Sequence, residues 1–453
     1  MTKSTKILVP SGVLGLGFSE DALIQGLKRQ PDIISIDGGS TDSGPFYLGM
    51  GVSKYSLEVC EAEWHLLMQA RHDNKIPLVI GSCGTCGVNA GVDMMFDMTV
   101  RIAKKLGHSV KIARIYCERE RSEFQIALSE NRIKPLEPAP QITQDSLSKI
   151  THIVSSAGVE PIQKAMEAGA DVILVGRATD TALIAALPLL NNAHKGASWH
   201  AAKIAECGAF CSTNPSSGVI FVEVDETGFT VEAMAQNALC TPETVAAHML
   251  YENADPFILL EPGGHLDVTD ATYTALDARR VRVEGSRWHS SDTYTVKLEA
   301  AKLSGYQTTL LTIVREPNYV AHIDDWIKKL SRICNTKIKQ SMTNSKSTHS
   351  IDFRVIGKNA VLGELEFSES LAPELGVLVI VTADSQGEAD DIAMLINPYL
   401  LHLPLSEDEP IPTTAFAYSP ANSSRGAFFE FALNHIMKLE KPCDGFPLII
   451  DEV

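Results

Sequence analysis

Most of the side chains with which this chain can do chemistry sit in a few short polar runs, each placed after a stretch of aliphatic and β-branched residues. The densest run is Asp37-Gly38-Gly39-Ser40-Thr41-Asp42-Ser43-Gly44-Pro45. Its glycines let the backbone approach a ligand closely, and its carboxylates and hydroxyls crowd into one turn. Asp37 and Asp42 are candidates for a base or a metal ligand. Gly38, Gly39, Ser40, Thr41 and Ser43 are candidates to hold an anion through amides and hydroxyls. The plainer alternative is a tight strand-to-helix connection built from Asx turns.

A second run is Gly81-Ser82-Cys83-Gly84-Thr85-Cys86-Gly87. Its Cys-x-x-Cys invites a redox or zinc reading. No second such pair and no nearby His-x-His completes four ligands, so a small-residue loop offering Ser82, Gly84 and Thr85 to a ligand is preferred. The run Gly176-Arg177-Ala178-Thr179-Asp180 opens a helix. Arg177 has the planar fork that grips a carboxylate or phosphate with two hydrogen bonds. Asp180 is either a second acid or a first-turn residue. In Ala205-Glu206-Cys207-Gly208, a glutamate at a helix end opposes the dipole and needs another reason to be there. Glu206 is therefore an acid–base candidate, and Cys207 a small core residue. Lys297 alternates with Thr295 and Glu299 on one face of a strand and is a further candidate. Glu160 reads as a helix first-turn residue, and Glu261 and His265 flank a flexible turn.

These runs need a scaffold. Strand patterns at 7–10, 33–37, 77–82, 111–116, 152–155 and 171–175 alternate with helix patterns at 19–29, 57–71, 92–106, 160–168, 179–187 and 199–207. Such β-α units predict an α/β fold with a mostly parallel, doubly wound sheet, whose ligands bind beyond the carboxyl ends of the strands. The segment 218–287 is richer in strands, with a helix at 242–251. The last third runs strand 307–314, helix 322–339, strands 350–356 and 376–383, helix 388–401 and an extended run 428–439. That order predicts a C-terminal ferredoxin-like α+β domain with a polar loop at 342–348. The expected division is 1–300, carrying the site, and 301–453.

Several chemistries lack their mark. Gly12-Val13-Leu14-Gly15-Leu16-Gly17 has the wrong order for a dinucleotide fingerprint. No phosphate-binding loop, serine-nucleophile elbow or His-Glu-x-x-His is present. The 453 residues carry 39 basic and 56 acidic side chains, a net charge of −17 that opposes binding to nucleic acid or anionic membranes. Composition is that of a globular protein, no apolar run is long enough for a membrane span, and the start does not read as a signal peptide. Nine scattered cysteines suit a reduced, cytoplasmic protein.

Taken together the runs resemble one family. The segments 37–45, 81–87, 176–183 and 206–208 follow one another as in acyclic terpene utilisation (AtuA-like) proteins. So do Cys240-Thr241-Pro242-Glu243-Thr244-Val245, 250–256, Ala415-Phe416-Ala417-Tyr418-Ser419-Pro420, Gly426 and 429–431. The resemblance implies a part in bacterial breakdown of branched acyclic terpenes, as carboxylic acids or coenzyme A thioesters, beside a small companion protein. It assigns no catalytic residues.

The expected function is an enzyme of carboxylic acid or acyl-CoA catabolism, a hydratase or dehydratase-type lyase. Asp37, Asp42, Glu206 and Lys297 move protons next to a carboxylate or thioester, and Arg177 and Asp180 help hold the substrate. An isomerase, a C–C lyase and a non-catalytic scaffold subunit are the alternatives. No cofactor is certain, although a divalent metal (Mg or Mn) held by the carboxylates is an option. Homo-oligomerisation and a small companion subunit are the expected associations.

Overall fold

A computed structural model describes residues 4–342, 348–368, 370, 372–412 and 414–453. The polar loop expected at 342–348 lies, from 343 to 347, outside the described residues. The chain divides into two compact units: Met1–Lys302 with Phe431–Val453, and Leu303–Glu430. The sequence-based division assigned everything after 300 to one domain, whereas here the last residues return to the first unit.

The first unit is mixed α/β, built on a ten-stranded sheet. Its centre is parallel, in the order Thr5–Val9, Ile33–Asp37, Leu78–Gly81, Val172–Val175, Lys111–Ile115. Ile33–Asp37 and Val172–Val175 are buried throughout, as strands covered on both faces must be. Both flanks are antiparallel. Ile220–Val224 pairs with Thr5–Val9, and Gly228–Ala233, Arg280–Glu284 and Thr272–Ala275 follow outward. Leu448–Glu452 closes the other edge against Lys111–Ile115. The sheet is therefore mixed rather than mostly parallel.

Short connections explain the flank. Asp225 Oδ1 accepts from the Thr227 and Gly228 amides at 2.9 and 3.1 Å, an Asx turn too short for a crossover helix. Ile258–Glu261, Gly264–Asp267 and Arg287–Ser290 form a separate three-stranded antiparallel sheet. The strand Ile150–Ser155 pairs with 298–302, the first part of the long strand Thr295–Val314.

The second unit has its own core. Leu375–Ala383 alternates buried and half-buried residues, pairing on one side with His349–Ile356 and on the other with 306–314. Helix Ile323–Ser341 buries Ile323, Trp326, Leu330, Cys334 and Ile338, one stripe at helical spacing. Gln386–His402 supplies the other helix over this core.

Candidate functional site

The carboxyl end of Ile33–Asp37 runs directly into the polar turn. Gly38 donates its N–H to Gly81 O at 2.8 Å, so the 37–39 and 81–85 backbones lie against each other. A Cβ on Gly38 would sit 2.7 Å from the carbonyl oxygens of both Gly81 and Ser82, which explains the glycine. Asp37 is buried. Its Oδ2 accepts from the Gly39 amide at 3.2 Å, and its Oδ1 has no hydrogen-bond partner among the described residues. Burial first, and the charge of Asp180 second, raise its pKa well above the ordinary range, and Arg177 pulls the other way.

Arg177 follows Val172–Val175, and Thr179 caps helix Asp180–Leu190 by accepting from the Ala182 amide. The guanidinium is buried, with two of its nitrogens committed. Nε donates to Glu299 Oε2 at 2.8 Å, and Nη1 donates to Ser82 Oγ and to Ala178 O, each at 3.0 Å, with Asp180 Oδ1 at 3.4 Å. The expected two-pronged grip on a ligand carboxylate is thus largely turned onto the protein. Burial alone would lower the Arg177 pKa, but Glu299, Asp180 and Asp37 raise it.

Glu299 accepts from Arg177 Nε, from Thr41 Oγ1 at 2.9 Å and from Lys297 Nζ at 2.9 Å. Burial opposes its ionisation, yet Arg177 and Lys297 hold its pKa down to about 2. Lys297 is half-exposed and spends its ammonium on this carboxylate.

On the other side of Asp180, helix Lys195–Ala205 ends at Glu206, whose carboxyl accepts from Lys203 Nζ. Both are buried. Burial raises the Glu206 pKa, and Asp180 and Glu261 add to this; together they outweigh the pull of Lys203. Burial lowers the Lys203 pKa, but Glu206 more than restores it. Glu206 and Lys203 are thus a buried, hydrogen-bonded pair, each shifted toward its protonated form. Glu261, at the end of Ile258–Glu261, accepts from Thr181 Oγ1 at 2.5 Å, and its Oε2 is enclosed with no partner among the described residues. Burial pushes its pKa up to about 7, against the Thr181 and Thr179 hydroxyls and with help from Asp180. Asp180 itself is raised by burial first, with Asp42 and Glu299 contributing against Arg177 and Lys203.

Asp37, Asp42, Asp180 and Glu206 thus lie within one electrostatic neighbourhood with Arg177, although they come from separate chain segments. Asp42 is exposed at its edge, accepting from Ser40 Oγ at 2.8 Å, and Ser43 Oγ accepts from Lys54 Nζ at 3.1 Å. Ser82 and Thr41 hold the charged groups directly. Gly84 and Thr85 serve packing instead: a Cβ on Gly84 would meet Gly91 Cα, and Thr85 lies against Gly39 while its Oγ1 accepts from the Lys54 amide. Cys83 and Cys86 are buried free thiols whose pKa values burial raises, the opposite of an activated thiolate.

Sequence reasoning passed over Lys203 and Thr181 and gave Glu261 and Glu299 only passing notice. Glu299 had one signal, its shared strand face with Lys297. Among the described residues, no three His, Cys, Asp or Glu side chains are grouped to hold a metal ion.

These observations define a mixed α/β protein with a buried, carboxyl-rich charge cluster at the carboxyl ends of its central strands. The chain belongs to the acyclic terpene utilisation family: the model of "Acyclic terpene utilisation family protein AtuA" matches residues 65–409, a span that holds Arg177, Asp180, Glu206 and Glu299 but begins after Asp37 and Asp42. No curated protein and no solved structure matches the chain. Among the described residues, no helix is long and apolar enough to cross a membrane.

Proposed function

We propose that this chain is an enzyme of carboxylic acid or acyl-CoA catabolism, a hydratase or dehydratase-type lyase that moves protons next to a carboxylate or thioester. The observation that carries the reading is the gathering of buried Asp37, Glu206 and Glu299 with Asp180 and Glu261 about Arg177 and Lys203, at and beside the carboxyl ends of the central strands. Glu299 is held ionised at about 2, while Glu261 keeps its proton up to about 7 and Glu206 is raised as well. Asp37 and Glu206, both raised by burial and by the Asp180 charge, are the carboxyls of the cluster suited to hold and return a proton. Glu206, poised by Lys203, is the group to exchange a proton with substrate. Asp37, whose Oδ1 has no partner among the described residues, is the second such group. Glu299 and Arg177 form the fixed ionic floor beside which Asp180 is held.

The excess of carboxyls over basic groups has a corollary: an anionic substrate is accommodated by protonated acids, so its binding is accompanied by proton uptake. A homo-oligomer, with or without a small companion subunit, belongs to the same reading. So does a doubly wound arrangement of the central strands, with a ferredoxin-like second unit supported by its order of two long helices and antiparallel strands.

The test is incubation of purified protein with branched unsaturated acids and their coenzyme A thioesters in ¹⁸O-labelled or deuterated water. Solvent oxygen is expected in the product, and Glu206→Gln is expected to slow turnover by about 10²–10⁴-fold. Deuterium without oxygen marks an isomerase, and shortened products mark a C–C lyase. Absence of any exchange by the isolated chain refutes the catalytic reading and favours the scaffold role.

A further inference from the structure

The glycine-rich stretch 12–17, useless as a dinucleotide fingerprint, has a different role in the fold. The loop leaving Thr5–Val9 donates its Leu14 amide to Asp37 O at 2.9 Å. The Gly15 and Gly17 amides then fasten to the Glu63 carboxylate at 2.7 and 2.8 Å. Beyond that anchor, Leu16, Gly17 and Phe18 form one wall of a cleft of about 1450 Å³. None of the ionisable groups of the charge cluster lines this cleft, which is therefore separate from that cluster.

Its chemistry runs against the rest of the molecule. In a chain of net charge −17, the cleft carries Lys28, Arg29 and Arg279 against Asp21 and Glu232. Glu232 is buried and ties the two arginines. Both its oxygens accept from Arg29 Nη2, at 2.7 and 2.8 Å, and Arg279 Nε lies 3.6 Å away. Arg279 is further locked by the carbonyls of Ala233, Ala235 and Gln236. Arg29, so oriented, still has half of its side chain open to solvent. Ser217, more than nine-tenths buried, also lines the cleft, and its hydroxyl has no partner among the described residues. A buried hydroxyl without a partner costs free energy unless a ligand or water completes it.

We propose that this cleft binds the phosphate-bearing end of a nucleotide, free or as the handle of a thioester carrier. Arg29 and Lys28 meet the phosphates, because a guanidinium fixed by a carboxylate presents its remaining N–H groups with little loss of freedom. Gln236 and Asn237, exposed on the cleft wall, are assigned to the base and Phe18 to its apolar face, with the enclosed Ser217 hydroxyl in the wall beside them. The volume accommodates a ligand of that size.

The experiment is calorimetric titration of the full chain with ADP, coenzyme A, pantetheine and inorganic phosphate. ADP and coenzyme A are expected to bind and to compete with each other, and Arg29→Ala is expected to weaken both by about tenfold or more. Glu232 keeps Arg279 within 3.6 Å in this variant, and unchanged circular dichroism verifies that it folds. Coenzyme A binding tighter than ADP identifies the carrier, and the reverse a free nucleotide. The proposal is overturned if neither binds at millimolar concentration. It is also overturned if Arg29→Ala and Arg29→Glu bind as the parent does, or if pantetheine or phosphate alone matches the nucleotide. Binding is read without turnover, so its failure is distinguishable from failure of the proton-transfer reading.

Discussion

Replacing Glu261 with Gln tests whether the cluster stores protons at neutral pH. The carboxyl is enclosed although the residue as a whole is only partly covered, and its pKa is pushed from 4.5 up to about 7. Below pH 4.5 folded and unfolded chains both hold the proton, and the group adds no pH dependence. Between 4.5 and 7 the unfolded chain ionises while the folded one resists, so stability falls as pH rises. Above about 7 the loss is complete. At about 1.4 kcal/mol per pH unit the full loss is about 3 kcal/mol. The amide introduced by Glu261→Gln can still accept from Thr181 but cannot ionise, so the variant lacks this fall. The unit that carries it has about 325 residues. At roughly 2.1 cal/mol/K of unfolding entropy per residue, 3 kcal/mol corresponds to about 4–5 °C in Tm. Thermal melts of both proteins across pH 4 to 9 are the assay. The variant is expected to gain on the parent by about that amount between the acid and alkaline ends of the series. Curves that run parallel refute the assignment of a raised proton affinity to Glu261.

Glu299→Gln leaves Arg177 buried without its main partner and is expected to cost about 3–5 kcal/mol in urea unfolding, where a loss under about 1 kcal/mol refutes the ionic floor. Because Glu299 is held at about 2, this deficit is full above pH 4.5 and fades as pH falls toward 2. Thiol titration of the native protein is expected to find at most Cys207 and Cys443 reacting, the other seven cysteines being buried, with all nine released by denaturant. Rapid modification of Cys83 or Cys86 contradicts their packing.

The turns after parallel strands were legible because each ends an aliphatic run and opens a helix, so Asp37, Arg177 and Asp180 could be placed beyond strand ends from the sequence. Glu299 could not, because its meeting with Arg177 depends on the antiparallel register that sets Leu298 against Ser155, and no local pattern encodes that partner. Glu261 was hidden for a related reason: it lies in a strand of the small separate sheet, and Thr181, which holds it, is eighty residues away. Lys203 lay inside a helix where a lysine ordinarily means solvent, and only the burial of Lys195–Ala205 changes that meaning. The edge strand Leu448–Glu452 was not read because no helix follows it to mark a β-α unit.

The return of 431–453 to the first unit bears on how the chain is made. As it emerges from the ribosome, Lys111–Ile115 waits without its outer neighbour while more than three hundred further residues are translated. The intervening unit, contiguous in the chain, has all its strands first. Until Leu448–Glu452 arrives, that sheet edge has no outer strand and its unpaired backbone groups stand open to pairing with another chain.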